Sequence, residues 1–149
     1  MELSIRDALV DDYQSVFELI RDELGYQHIE YTQLCDRLRK MESGGNHRTI
    51  VAAHDGRVVG FIGVVKGYAY NYEGEYLQIL AMAVSSSLQG KGVGSRLLTY
   101  IEEYAVQNGL GPVVLTSNKR RFEAHAFYEK NGYTSTSIKF SKDIQSTGL

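Results

Sequence analysis

The chain has 149 residues, 43% of them hydrophobic and 23% charged, enough apolar material for one self-sufficient core without disulfide or metal staples. Sixteen Lys and Arg against eighteen Asp and Glu leave a net charge of −2, which excludes a global basic field for nucleic acid or an anionic membrane. The lone Cys35 rules out an internal disulfide framework and suits a reducing compartment, and no stretch has the length and apolarity of a membrane span or signal segment. A cytoplasmic chain forming a single domain over residues 1–149 is expected.

In chain order, residues 3–8 alternate as a short strand. Asp11 and Asp12 sit where acidic residues favour a helix start, Val16, Leu19, Ile20 and Leu24 recur at helical spacing, and Gly25 ends the run. After a connector over 26–31, Leu34, Leu38 and Met41 mark the inner face of a second helix closed by Gly44 and Gly45, with Cys35 as a small packed residue beside that face. Strands over 49–54 and 57–68 flank Asp55-Gly56, a strong hairpin signal, and Gly60 and Gly63 mark bends or close packing. A polar, aromatic loop over 69–75 leads into residues 76–84, apolar at every position but Gln78, as in a strand covered on both faces.

Beyond that strand, Val93, Leu97, Leu98, Ile101 and Ala105 predict a long helix, stopped by Asn108 and Gly109. Pro112 opens a further strand, a short helix spans about 121–130, and a last strand runs from Tyr133 to about Lys142, leaving residues 145–149 as a frayed tail. This order specifies an α/β (α+β) mixed sheet with helices on both faces.

Between the apolar strand and the long helix lies Gln89-Gly90-Lys91-Gly92-Val93-Gly94-Ser95. A glycine-rich loop opening onto a helix N-terminus binds anions, because unpaired backbone N–H groups and the helix dipole favour negative charge and glycine lets a phosphate approach. The bland reading is a turn whose glycines only supply unusual backbone angles. A P-loop is excluded because Gly92 stands where Ser or Thr is needed after Gly90-Lys91, and a dinucleotide fingerprint because the third glycine position holds Ser95.

What remains, Gln89-x-x-Gly92-x-Gly94, resembles the pyrophosphate loop of the GNAT superfamily of acyl-CoA-dependent N-acetyltransferases. Residues 80–84 are similar to that family's bulged fourth strand, and Asn118 followed by Ala124-His125-Ala126-Phe127-Tyr128-Glu129-Lys130-Asn131-Gly132-Tyr133 is similar to its C-terminal motif. The resemblance implies a mostly antiparallel central sheet with splayed fourth and fifth strands. It further implies acetyl-CoA as co-substrate, no metal, and transfer of the acetyl group to a primary amine of a small molecule by direct attack in a ternary complex. A homodimer is common among such proteins, although the sequence itself carries no sign of one.

On that resemblance, the backbones of Met82, Ala83 and Val84, beside a bulge near Met82 and Ala83, hold the pantetheine arm and the thioester oxygen. Gln89, Gly90, Lys91, Gly92, Val93, Gly94 and Ser95 cradle the pyrophosphate. Asn118 bonds the pantetheine, its bland alternative being a turn residue. Lys119, Arg120 and Arg121 either pair with the 3′-phosphate or form a solvated face. Tyr128 matches the family's general acid, since a phenol of pKa about 10 stays protonated at neutral pH; the alternative is packing with Phe127. His125 reads as structural.

Histone-type members carry a glutamate where this chain has Gln78, which takes no proton near neutrality. Either Glu73 or Glu75 acts through water, or the amine arrives partly deprotonated. Ser86 replaces a common proline before the loop. The acceptor pocket draws on Tyr26, Tyr72, Glu73, Glu75 and Gln78, with His28, Glu30, Tyr31 and Tyr70 nearby, a set suited to a cationic amine with apolar parts. The alternatives are an acyl-CoA-binding regulatory module without turnover, or an acetyltransferase of protein or RNA amines.

Overall fold

A computed structural model describes residues 1–145. The chain divides into two compact units, one over Met1–Leu115 and a second beginning at Thr116. The first unit holds β1 (Ser4–Asp7), α1 (Tyr13–Asp22), α2 (Tyr31–Gly44), β2 (His47–His54), β3 (Arg57–Tyr68), β4 (Glu75–Val84), α3 (Val93–Gln107) and β5 (Val113–Leu115), and the second holds α4 (Phe122–Lys130). Two short 3-10 turns, Val10–Asp12 and Ser86–Leu88, precede α1 and α3.

The strands lie in sequence order β1-β2-β3-β4-β5, antiparallel except for the β4–β5 pair. The β2–β3 turn is the Asp55-Gly56 pair of the sequence reading, with φ of 51° and 74° as a type I′ hairpin demands. One sheet face is covered by α1 and α2, whose Tyr13, Val16, Leu19, Leu34, Cys35 and Leu38 pack with Val51, Phe61 and Ala83. Cys35 is a buried core residue, as read from its place beside the apolar stripe.

On the other face, α3 buries Val93, Leu97, Leu98, Ile101 and Ala105, the five residues whose spacing predicts it. Gly60 makes that approach possible. A β-carbon there would meet the Ala83 carbonyl oxygen and Val93 Cγ1, each at 3.2 Å. The first strand is locked to α1 by Asp12, buried at the corner, which accepts hydrogen bonds from Arg6 Nη1 at 2.6 Å and from the Leu9 N–H at 2.7 Å.

Three expectations need correction. The bulge in β4 falls at Leu80 rather than near Met82 and Ala83: Gly63 stands opposite Ala81 and Val64 opposite Ile79, leaving Leu80 without a partner. At the bulge the expected cover of β4 is incomplete: α3 packs against one face and α1 against the other, but the unpaired Leu80 is 46% exposed. An unbroken apolar run conceals a bulge, because the extra residue disturbs the side-chain alternation without changing composition. Third, the strand expected over 133–142 does not form; among the described residues no helix or strand follows Lys130. The segment has strand-like residues, but a strand is stabilised by its ladder, and the sheet ends at β5. Boundaries shift more modestly: β2 begins at His47, and Tyr31 is the first residue of α2. The tail expectation lies outside the described residues beyond Gln145.

Candidate active site

The β4–β5 ladder is brief. It joins Leu77 to Val113, Gln78 to Val114 and Ile79 to Leu115, and there β5 ends while β4 runs on for five residues. Which peptide groups of β4 face this open side follows from two hydrogen bonds. The Leu77 N–H donates to the Pro112 carbonyl on the β5 side at 3.0 Å, whereas the Ser85 N–H donates to the Val59 carbonyl on the β3 side at 2.8 Å. Both residues are odd-numbered, so the alternation of an antiparallel ladder reverses between them, at the Leu80 bulge. Past the bulge, Ala81 and Ala83 therefore give their peptide groups to β3, and Met82 and Val84 turn theirs to the open side.

From that edge the chain passes directly into the glycine loop. Gly90 and Gly92 have φ of 79° and 86°, and Gly92 is the N-cap of α3. In this left-handed region an L side chain is strained, so the glycines are required by the turn. No side chain caps α3, and its first intrahelical bond runs from the Arg96 N–H to the Gly92 carbonyl at 3.1 Å. The N–H groups of Val93, Gly94 and Ser95 thus lack an intrahelical acceptor and point out of the helix start, beside the exposed Lys91. Val93 contributes its backbone alone, because its side chain is buried in the core.

Two side chains hold the loop. Gln89 Nε2 donates to the Val84 carbonyl at 3.0 Å, so this residue folds back on the strand and shapes the turn. Glu23, at the C-cap of α1, accepts the Ser86 N–H at 3.0 Å. Sequence reading missed Glu23, since its partner lies 63 residues away; the one local signal is a carboxylate at a helix C-terminus, where the dipole opposes it.

The second unit carries the other motif. Asn118 Oδ1 accepts the Arg120 N–H at 2.9 Å, and its carbonyl accepts both the Arg121 N–H at 3.0 Å and His125 Nε2 at 2.8 Å. This is an Asx turn leading into α4, with His125 as a brace. The Asn118 amide nitrogen is left to donate. Tyr128 sits on α4 in edge contact with Phe127 and Tyr133, at ring separations of 5.3 and 5.9 Å. Burial raises its phenol above the usual tyrosine value, against a smaller lowering by Arg121. At neutral pH it is an acid with a proton to give. Lys119, Arg120 and Arg121 are all exposed.

The acceptor-pocket residues lie on separate stretches. Tyr26 pairs edge-on with His28 in the α1–α2 connector at 6.1 Å, and Tyr72 with Tyr76 at 6.5 Å at the start of β4. Glu73 is exposed, Glu75 opens β4, with its carbonyl accepting the Gly111 N–H at 2.8 Å, and Gln78 is half-buried opposite Val114. Among the described residues no group of three or more His, Cys, Asp or Glu is placed to hold a metal, and no helix is long and apolar enough to cross a membrane.

Over residues 6–133 the chain matches the Acetyltransferase (GNAT) family. It is 30% identical over 144 residues to an aminoalkylphosphonate N-acetyltransferase of Salmonella typhimurium, a match covering 94% of this chain and 90% of that protein. Among solved structures it is similar to a transcriptional regulator from Bacillus halodurans C-125, with 26% identity and a TM-score of 0.87 over 96% of this chain and 100% of that one. It is also similar to a GNAT family acetyltransferase from Staphylococcus aureus, with 27% identity and a TM-score of 0.79 over 97% of this chain and 100% of that one.

Proposed function

This chain belongs to the GNAT acetyltransferase family, and we propose that it moves the acetyl group of acetyl-CoA to the primary amine of a small molecule by direct attack in a ternary complex. The observation that carries this reading is the continuity of backbone donors from the open side of β4, at Met82 and Val84, into the uncapped start of α3. Pantetheine is long, extended and rich in amides, and a strand edge is what such a chain can pair with. The pyrophosphate that follows requires several N–H donors, which the Gly92–Ser95 turn offers together with Lys91.

In the reaction the amine nitrogen forms a bond to the thioester carbon, the carbonyl oxygen takes up negative charge, and the carbon–sulfur bond then breaks. A β4 N–H at the open edge, from Met82 or Val84, stabilises that oxygen. Tyr128, protonated at neutral pH, gives its proton to the departing thiolate. The attacking amine must first lose a proton: at pH 7 an alkylamine of pKa about 10.4 is only about 0.04% neutral. Gln78 cannot take that proton, so Glu73 or Glu75 takes it through water. Asn118 donates to the pantetheine, and Arg121 or its neighbours meet the 3′-phosphate.

Both units serve one acetyltransferase domain, a reading supported by the family match running across them. For the acceptor, the relative matched over most of both chains is named for aminoalkylphosphonates, so a small amine bearing an anionic group heads the substrate class. Tyr26, Tyr72 and Gln78 line its approach. The cytoplasm is the location that the lone buried cysteine and a coenzyme A-dependent reaction fit.

The test is thiol release from acetyl-CoA across aminoalkylphosphonates, aminoglycosides, polyamines, amino acids and peptides, beside a Tyr128→Phe variant whose acetyl-CoA binding is followed by calorimetry. Acceptor-dependent release that falls in the variant while binding persists bears out both the reaction and the acid. Binding without release for any amine, protein or RNA acceptor overturns the transfer reading in favour of a regulatory acyl-CoA-binding module.

A further inference from the structure

Three glycines lie within β3, and what stands over each differs. A β-carbon at Gly60 would meet Val93 of α3, and one at Gly67 would meet the Tyr76 ring, with its Oη at 2.8 Å. At Gly63 a β-carbon would meet nothing within 4 Å, although the residue is buried. This open space belongs to the face under α1 and α2, because Phe61 packs in that core and alternate residues of a strand share a face. The ladders carry the face across the sheet: Thr49 and Ala81 stand opposite Gly63, and His47 and Gln78 stand opposite Val65. Thr49, Gly63 and Ala81 thus form a row of small residues. It is closed at β2, where Thr49 is 5% exposed, and open at β4, where the adjoining Leu80 is 46% exposed. Two polar groups at the closed end lack partners. The Thr49 hydroxyl makes no hydrogen bond among the described residues, and a side chain buried this deeply calls for one. The half-buried His47 ring makes neither a hydrogen bond nor an ion pair among them, whereas Arg6, Arg21 and Arg48 are each held by an aspartate. No residue of either row is acidic.

We propose that this row is the acceptor slot of the transfer reaction, and that it selects small primary amines ending in an anionic group, a phosphonate or a carboxylate. The amine lies at the Leu80 end, close along β4 to the Met82 and Val84 peptide groups that meet the thioester. The anionic group lies over Gly63, accepting hydrogen bonds from the Thr49 hydroxyl and a His47 ring N–H. From β4 to β2 is two strand spacings, about 10 Å, a length that admits a two- or three-carbon chain with its anionic head. A side chain at Gly63 would occupy the space this head needs, which accounts for glycine in the middle of a central strand, where it otherwise weakens the sheet. The inference rests on the acetyl-transfer reading and names the residues that choose its acceptor.

The test compares 2-aminoethylphosphonate and β-alanine with propylamine, by thiol release from acetyl-CoA and by amide chemical shifts of the isotopically labelled full chain with coenzyme A. Wild-type kcat/KM is expected to be about 10-fold or more higher for the two anionic amines than for propylamine. Thr49→Val and His47→Ala are each expected to raise KM for 2-aminoethylphosphonate about 10-fold and to erase most of that preference, with KM for acetyl-CoA unchanged. Gly63→Ala places its methyl group against no other atom, so Tm is expected to hold while kcat/KM for 2-aminoethylphosphonate falls about 10-fold. If no amine is turned over, 2-aminoethylphosphonate is still expected to shift the Thr49 and Gly63 amides, a result that would fail the transfer reading and keep the site. Equal kcat/KM for propylamine, variants that retain the preference, or shifts confined to residues outside the two rows would each overturn the slot while leaving acetyl transfer itself in place.

Discussion

Tyr128 and Glu23 are separated by what makes each legible. Tyr128 belongs to a local motif on one short helix, so its place was evident from spacing, and folding adds the burial that raises the phenol's pKa. Its replacement by Phe preserves the ring contacts with Phe127 and Tyr133 and removes only the proton. Steady-state kinetics should therefore show kcat falling about 100- to 1000-fold, the range of a general acid, with acetyl-CoA affinity retained. Glu23 is a positioning residue that holds the Ser86 turn ahead of the glycine loop. Glu23→Ala should raise the Kd for acetyl-CoA about 5-fold, the worth of one exposed hydrogen bond, with kcat at saturation little changed, and Glu23→Gln should restore most of the loss. Tighter binding in both variants would instead mean that the carboxylate competes with the cofactor for the loop.

At the scale of elements, the β3–α3 approach and the β1–α1 corner carry separate predictions. Gly60→Ala puts a methyl group 3.2 Å from both a backbone oxygen of β4 and a side chain of α3, so either the helix or the strand must shift. A loss of about 1–3 kcal/mol is expected, read as a lower urea midpoint at unchanged slope. At the corner, the hydrogen bonds from Arg6, and to a smaller extent from the Leu9 N–H, hold the Asp12 carboxyl below its usual pKa against the opposing effect of burial. A depressed folded-state pKa means stability that is fully present above the unfolded value of about 3.9 and lost as pH falls through the folded one. Asp12→Asn should therefore cost about 2 kcal/mol at neutral pH and flatten the decline in stability below about pH 4, as followed by thermal melts across pH. Elements themselves were largely legible: the five buried residues of α3 and the Asp55-Gly56 turn follow from spacing and turn chemistry alone. The Leu80 bulge was not, because it is a count of residues against a partner strand.

For the whole molecule, a ligand that binds only the folded chain raises its stability by mass action. Acetyl-CoA at about 100 times its Kd should add about 2.7 kcal/mol, a rise in Tm of roughly 5–10 °C for a chain of this size, measurable by differential scanning calorimetry. Free adenosine, without the pyrophosphate, should produce little of that shift, since the loop donors at Gly92–Ser95 are what the cofactor engages. By itself the sequence determined the family, the order of helices and strands as far as α4, the glycine loop and the place of Tyr128 within its motif, because each rests on residues close together in the chain. Only the tertiary structure decided that Met82 and Val84, rather than Ala83, face the open side of β4, that Glu23 reaches Ser86, and that residues 133–142 stand without a ladder. These depend on register and on which distant backbone supplies the partner, and hydrogen-bond pairing between strands is a property of two segments at once, invisible in either alone.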